Sequence, residues 1–196
     1  MRYPKAFESL IAHFSRLPSI GPKMAERLVL YLFKQDEEKL RAFAESLEAL
    51  KHLSSCQQCF YISESTLCGF CSDHSRDQTT ICVVEEPLDV IAIERTGAYH
   101  GLYHVLGGVL DSGQEDQTLR VAELKNRLVD SSVEEVIIAT NPTTEGDMTA
   151  YFLKTKLASL PLKVTRIARG MATGGDIEYA DELTLSSSLE NRTSLR

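Results

Sequence analysis

Cys56-Gln57-Gln58-Cys59 and, eight residues further on, Cys68-Gly69-Phe70-Cys71 are the two stretches around which the chain is organised. Two Cys-x-x-Cys hooks this close bring four thiolates to the corners of one tetrahedron, the arrangement a structural zinc ion takes. The intervening residues 60–67 are long enough for a short hairpin, and Gly69 is placed to supply a positive φ between the last two sulfurs. Two disulfides in a secreted domain are the competing reading. Met1 is not followed by an apolar signal stretch, so a reducing compartment is expected and the thiols are read as zinc ligands. Four thiolates leave no position for water, which makes the expected role structural and not catalytic.

The 196 residues suit one large domain or two small ones, and a hydrophobic fraction of 43% is ordinary for a globular chain. No apolar run approaches the roughly 20 residues that cross a bilayer, so a soluble, cytoplasmic protein without a membrane partner is expected. The net charge of −7 is unevenly spread: residues 1–55 carry nine Lys/Arg against seven Asp/Glu, residues 56–196 twelve against twenty-one. A slightly basic arm and an acidic body imply two surfaces with different partners.

In the arm, Phe7, Leu10, Ile11 and Phe14 recur at helical spacing and predict a helix over about 5–15. Ala25, Leu28, Val29, Leu32 and Phe33 predict a second, with Pro22 in its first turn. Asp36 is a candidate N-cap for a third, whose stripe is Leu40, Phe43, Ala44 and Leu47, completing a small bundle. Between the first two helices, residues 17–27 resemble the helix-hairpin-helix of DNA-repair proteins, which grips the DNA backbone without reading sequence. Ser19 stands where that motif usually has its first Gly, and Gly21 is retained. Lys23 and Arg27, four apart on one helix face, add cationic contacts beside N–H groups that favour a phosphate. Read alone, the same residues also suit an ordinary helical turn with two solvated cations.

The body alternates strand and helix. Strands are expected at 80–84, near 103–106, at 136–140 and at 164–168, with helices near 88–96, 119–129 and 147–160. That pattern gives a mostly parallel sheet covered on both faces, with function at the C-terminal strand ends. Cys82 is read as a core residue and not as a fifth ligand. Glu85 follows the first strand, and Asn141-Pro142-Thr143-Thr144-Glu145-Gly146-Asp147 follows a later one. This resembles the Toprim domain, in which a Glu and an Asp-x-Asp-x-x-Gly hold magnesium for phosphoryl transfer. Here Asn141 and Thr143 fall on the two Asp positions. Mg²⁺ needs anionic oxygen ligands, so Glu145 and Asp147 allow weak Mg²⁺ binding at most, and efficient catalysis is not expected. The chain carries no phosphate loop. None of its five histidines shows a Ser/Asp partnership, although His52 and His74 lie near the cysteines in sequence.

The expected organisation is α/β: a helix-hairpin-helix bundle at 1–55, a four-Cys zinc knuckle at 56–71, a Toprim-like parallel-sheet domain at 78–168, and a Gly-rich segment and tail at 169–196. That order resembles the bacterial RecR family of recombination mediators, with Ala172 in place of a proline usual in the Gly-rich segment. The resemblance implies a non-enzymatic DNA-repair mediator that forms ring-like dimers or tetramers around DNA. Such proteins act with RecO and RecF to help load RecA onto single-stranded DNA. It further implies that Gly21, Lys23 and Arg27 face DNA, that Glu85, Glu145 and Asp147 contribute to the RecO contact, and that the Walker-B-like Gly-rich segment joins subunits. A Mg²⁺-dependent Toprim nuclease or phosphotransfer enzyme is the alternative, and a zinc-containing interaction module with no DNA role is a third reading.

Overall fold

The computed structural model describes residues 3–110, 119–129 and 131–194. It divides into two units, Met1–His52 and Leu53–Arg196. In the first, α1 (Lys5–Phe14), α2 (Pro22–Phe33) and α3 (Glu37–Ala49) follow one another and end in a 3-10 turn, Leu50–His52. Helices α1 and α2 pack as an αα-hairpin that buries Ala25 and Val29. Asp36 caps α3 as expected, its carboxylate accepting the Lys39 N–H at 2.9 Å. The three helices belong to one compact unit, but α3 buries none of its residues, and Leu40, Phe43 and Leu47 of its expected stripe are 39–52% exposed. Periodicity marks an apolar stripe but does not say what covers it.

The second unit opens with a two-stranded antiparallel pair, β1 (Ser54–Ser55) and β2 (Ile62–Ser63), and a single helical turn, α4 (Gly69–Ser72). The strands embrace the first Cys hook, so the hairpin lies around residues 56–61 and not within 60–67 as expected. Positive φ falls on Phe60 (63°) and not on Gly69, which starts α4.

Four parallel strands follow: β3 (Asp77–Val84), β4 (Gly101–Val105), β5 (Glu135–Ala139) and β6 (Lys163–Arg166), in the order β4-β3-β5-β6. Helix α5 (Pro87–Glu94) links β3 to β4, α6 (Val121–Leu128) precedes β5, and α7 (Thr144–Leu157) links β5 to β6. The β-branched runs read from the sequence are the buried strands, with Ile81, Val83, Val84, Val136 and Ile138 at most 2% exposed. One sheet face packs Ile81, Val83, Val136 and Ile138 against Leu124 and Leu128 of α6 and Leu153 and Leu157 of α7. The other packs Cys82, Val84, Tyr103 and Val105 against Val90 of α5 and the knuckle's Phe60 and Phe70. A 3-10 turn (Ile177–Tyr179) and α8 (Glu182–Glu190) complete the described chain.

Because β3 is central and its neighbours are reached in opposite directions, the chain order reverses there, opening a crevice at the C-terminal strand ends. Helix α7 begins three residues earlier than periodicity predicts. Thr143 is its N-cap, its hydroxyl accepting the Gly146 N–H at 3.0 Å. Glu145 and Asp147 therefore lie in the first helical turn, not in a loop.

Candidate functional site

The helical hairpin presents the first set of residues. Ile20 N–H closes on the Leu17 carbonyl at 3.2 Å, and Ser19 takes φ 64°, the left-handed conformation in which a Gly would be unstrained. The backbone thus keeps the turn despite the substitution. Gly21 is the N-cap of α2, with open space where a Cβ would sit. No side chain caps this helix start, and Pro22 removes one N–H. The N–H groups of Lys23 and Met24 consequently have no acceptor within the helix. Lys23 and Arg27 are both exposed, one turn apart.

The cysteines converge. The Sγ atoms of Cys56, Cys59, Cys68 and Cys71 all lie within 4.8 Å of one another, and those of Cys59 and Cys68 are 3.4 Å apart. A tetrahedron with Zn–S bonds of about 2.3 Å has edges of about 3.8 Å, so the donor set fits zinc. Cys56, Cys59 and Cys68 are buried, Cys71 half-buried, and all are free thiols. The Cys68 backbone N–H points at the Cys56 sulfur at 3.3 Å. Sulfur-to-sulfur hydrogen bonding from Cys59 pulls the Cys68 thiol pKa down and pushes its own up. A divalent cation supplies the charge that lets all four lose their protons. Neither His52 nor His74 joins the cluster among the described residues.

The knuckle is fastened to the edge strand β4. The Val105 N–H donates to the Cys59 carbonyl at 2.8 Å, and Phe70 meets Tyr103 edge-on at 5.3 Å. The Arg76 guanidinium lies 5.1 Å from the Phe70 ring centroid and 5.5 Å from that of Tyr103. It also forms a two-point ion pair with Glu94 of α5, at 2.6 and 3.3 Å, and donates to the Gly101 carbonyl at 2.8 Å. Sequence reasoning missed this residue. An Arg just past the last Cys and a Glu closing a helix 18 residues on carry no local signal.

The three strand-end carboxylates are separated in role. Glu85 is 7% exposed, and both its oxygens are taken by Asn141: the backbone N–H at 2.7 Å and the side-chain Nδ2 at 2.5 Å. A Cβ at Gly146 would collide with the Asn141 carbonyl, so that glycine lets the loop close on Glu85. Asp147 accepts Arg166 Nη2 at 2.7 Å, Arg169 Nη1 at 3.0 Å and a further bond from Arg169 Nη2. The Arg169 guanidinium, then Arg166, hold its pKa down at about 2. Glu145 is exposed.

Among the described residues the four cysteines are the one group of three or more metal-ligating side chains that converges. The donor set at the strand ends is poor for Mg²⁺, in keeping with the weak binding expected, and leaves Glu145 as its exposed carboxylate. Asn141 turns its N–H groups, not its oxygen, toward Glu85, and two guanidinium groups already neutralise Asp147.

Family models match most of the chain: "RecR, helix-hairpin-helix" over residues 7–51, "Toprim domain" over 79–168 and "RecR, C-terminal" over 170–193. The chain is 52% identical to the Recombination protein RecR of Chloroflexus aggregans over 189 residues, 95% of this chain and 92% of that one. It is 45% identical to the Recombination protein RecR of Rubrobacter xylanophilus over 196 residues, 98% of each. To that of Dehalococcoides mccartyi it is 44% identical over 190 residues, 95% of this chain and 93% of the other. With hairpin, Toprim sheet and C-terminal segment matched in that order and identity sustained from end to end, the chain belongs to the RecR family of recombination proteins.

Proposed function

We propose that the protein is a zinc-stabilised, non-catalytic mediator of DNA repair and recombination that holds DNA through its helical hairpin. The observation that carries this reading is the open start of α2, where the N–H groups of Lys23 and Met24 stand beside two exposed cations, Lys23 and Arg27. Such contacts bind phosphate without reading bases, so affinity is steeply salt-dependent and nearly indifferent to sequence. In this reading the protein surrounds DNA as a ring of two or four copies. It acts with RecO and RecF to help load RecA onto single-stranded DNA. The RecO contact falls at the acidic strand ends. Glu145 is the exposed group there; Glu85 and Asp147 contribute by fixing the loop that carries it.

The test is a binding titration of labelled gapped DNA at low salt, run with Mg²⁺ present. Lys23→Ala with Arg27→Ala is expected to weaken binding about tenfold or more and to lower the salt slope by about 2. Strands stay intact, and zinc content is unchanged. Unaltered affinity removes the hairpin from the mechanism; strand cleavage that Glu85→Gln abolishes returns the Toprim centre to catalysis.

A further inference from the structure

The geometry points to a structural role for a carboxylate beside the strand ends: Asp147 is a lock for the C-terminal segment, and its ligand is the chain's own Arg169. Asp147 lies in the first turn of α7, one residue past Gly146 and outside the two positions, Asn141 and Thr143, at which a Toprim motif places its metal-binding Asp residues. The cation it meets is the guanidinium of Arg169, three residues past β6 and immediately before the segment over 170–193. Both oxygens of Asp147 are engaged, by Nη1 and Nη2 of Arg169, and Arg166 of β6 adds a third donor. Arg166 in turn donates to the Thr140 hydroxyl at 3.2 Å, and that hydroxyl donates to the Gly146 carbonyl at 2.8 Å. The ends of β5 and β6 and the start of α7 thereby meet at one carboxylate.

What this lock holds follows from where the sheet's other bonds stop. The last backbone bond to the sheet is the Ile167 N–H to the Ile138 carbonyl, at 3.1 Å. Beyond Arg169, every hydrogen bond of the described residues 170–193 closes within the segment itself. A cleft of about 630 Å³ separates the Asp147 side from α8, with Thr143 and Asp147 on one wall and Leu183, Thr184 and Ser187 on the other. The segment therefore has an ion pair, not a packed core, as its attachment at this point. Asp147 is a positioning residue that sets where α8 begins its course. This role stands independently of DNA binding by the hairpin.

The experiment uses the full-length, zinc-loaded protein. Hydrogen exchange is followed in the native chain and in Arg169→Gln, which leaves Asp147 paired with Arg166 and so preserves the domain. Amide exchange over 170–193 is expected to rise about fivefold, the scale of an ion pair about a third exposed. Protection in β5 and α7 stays as it was. Asp147→Asn gives the same rise, and combining the two substitutions adds little more. In parallel, Mn²⁺ is titrated by electron paramagnetic resonance, and no saturable binding that depends on Asp147 is expected. Unchanged exchange over 170–193 in Arg169→Gln overturns the lock. Saturable Mn²⁺ binding lost in Asp147→Asn overturns it equally, because the carboxylate would then be available to a metal.

Discussion

His104 shows how much a single position can carry. It lies wholly buried on β4, its Nε2 2.8 Å from the Arg120 carbonyl and its ring edge-on to Phe60 at 5.5 Å. Burial pushes its pKa down to about 4, with Arg127 and Arg120 nearby opposing a proton and Glu123 favouring one. The neutral ring donates from Nε2 and leaves Nδ1 without a partner. Between pH 6.5 and about 4 the unfolded chain takes up the proton and the folded one does not. Stability from this residue is thus complete above pH 6.5 and falls as pH falls, by about 3 kcal/mol at the acid end. Urea unfolding of the native chain and of His104→Gln should show it. From about pH 7 to about pH 5 the native chain loses about 2 kcal/mol more than the variant. Equal losses would mean that the ring is not titrating. Nothing in Tyr103-His104-Val105 announces this. A histidine in a short apolar run reads as a surface or satisfied residue until the strand is known to be covered on both faces.

At the scale of elements, the knuckle acts as the lid of an edge strand. Among the described residues strand β4 pairs only with β3 in the sheet, and the Cys59 carbonyl accepts the Val105 N–H that would otherwise face outward. Metal loss should therefore be felt in the sheet. Cys68→Ser is expected to abolish stoichiometric zinc and to lower Tm on the order of 10 °C. Exchange should rise at the amides of β4 before those of β5. A variant that lost zinc with an unchanged melting curve would show the knuckle to be dispensable. The elements themselves were largely legible, because helix and strand periods are local: the Asp36 cap and the runs before Glu85 and Asn141 all form as read. Their assembly was less so. The start of α7 was misplaced because Thr143 lacks the acidic partner of a capping box. The fate of Glu85 depends on Asn141, 56 residues away, and no local pattern records whether an amide there offers its oxygen or its hydrogens.

For the whole molecule, the division of charge matches the proposed partners: a weakly cationic arm for phosphate and an acidic body for a protein with a basic face. Large apolar side chains are left uncovered in both units, among them Phe43 and Leu47 on α3 and Tyr179 and Leu183 near the C-terminus, the last two about 80% exposed. Surfaces of this kind mark protein contacts, which suits the proposed ring. Phe43→Asp with Leu47→Asp should shift the sedimentation profile to smaller species while zinc content stays constant, and an unchanged profile would place the subunit contact elsewhere. The open stripe of α3 has a thermodynamic corollary. An arm with Ala25 and Val29 as its buried residues has little core of its own, so its stability is a mass-action quantity supplied by whatever covers that stripe. Diluted, the arm should loosen while the metal-bound body stays folded, and the grip on DNA would then depend on how many copies are at hand.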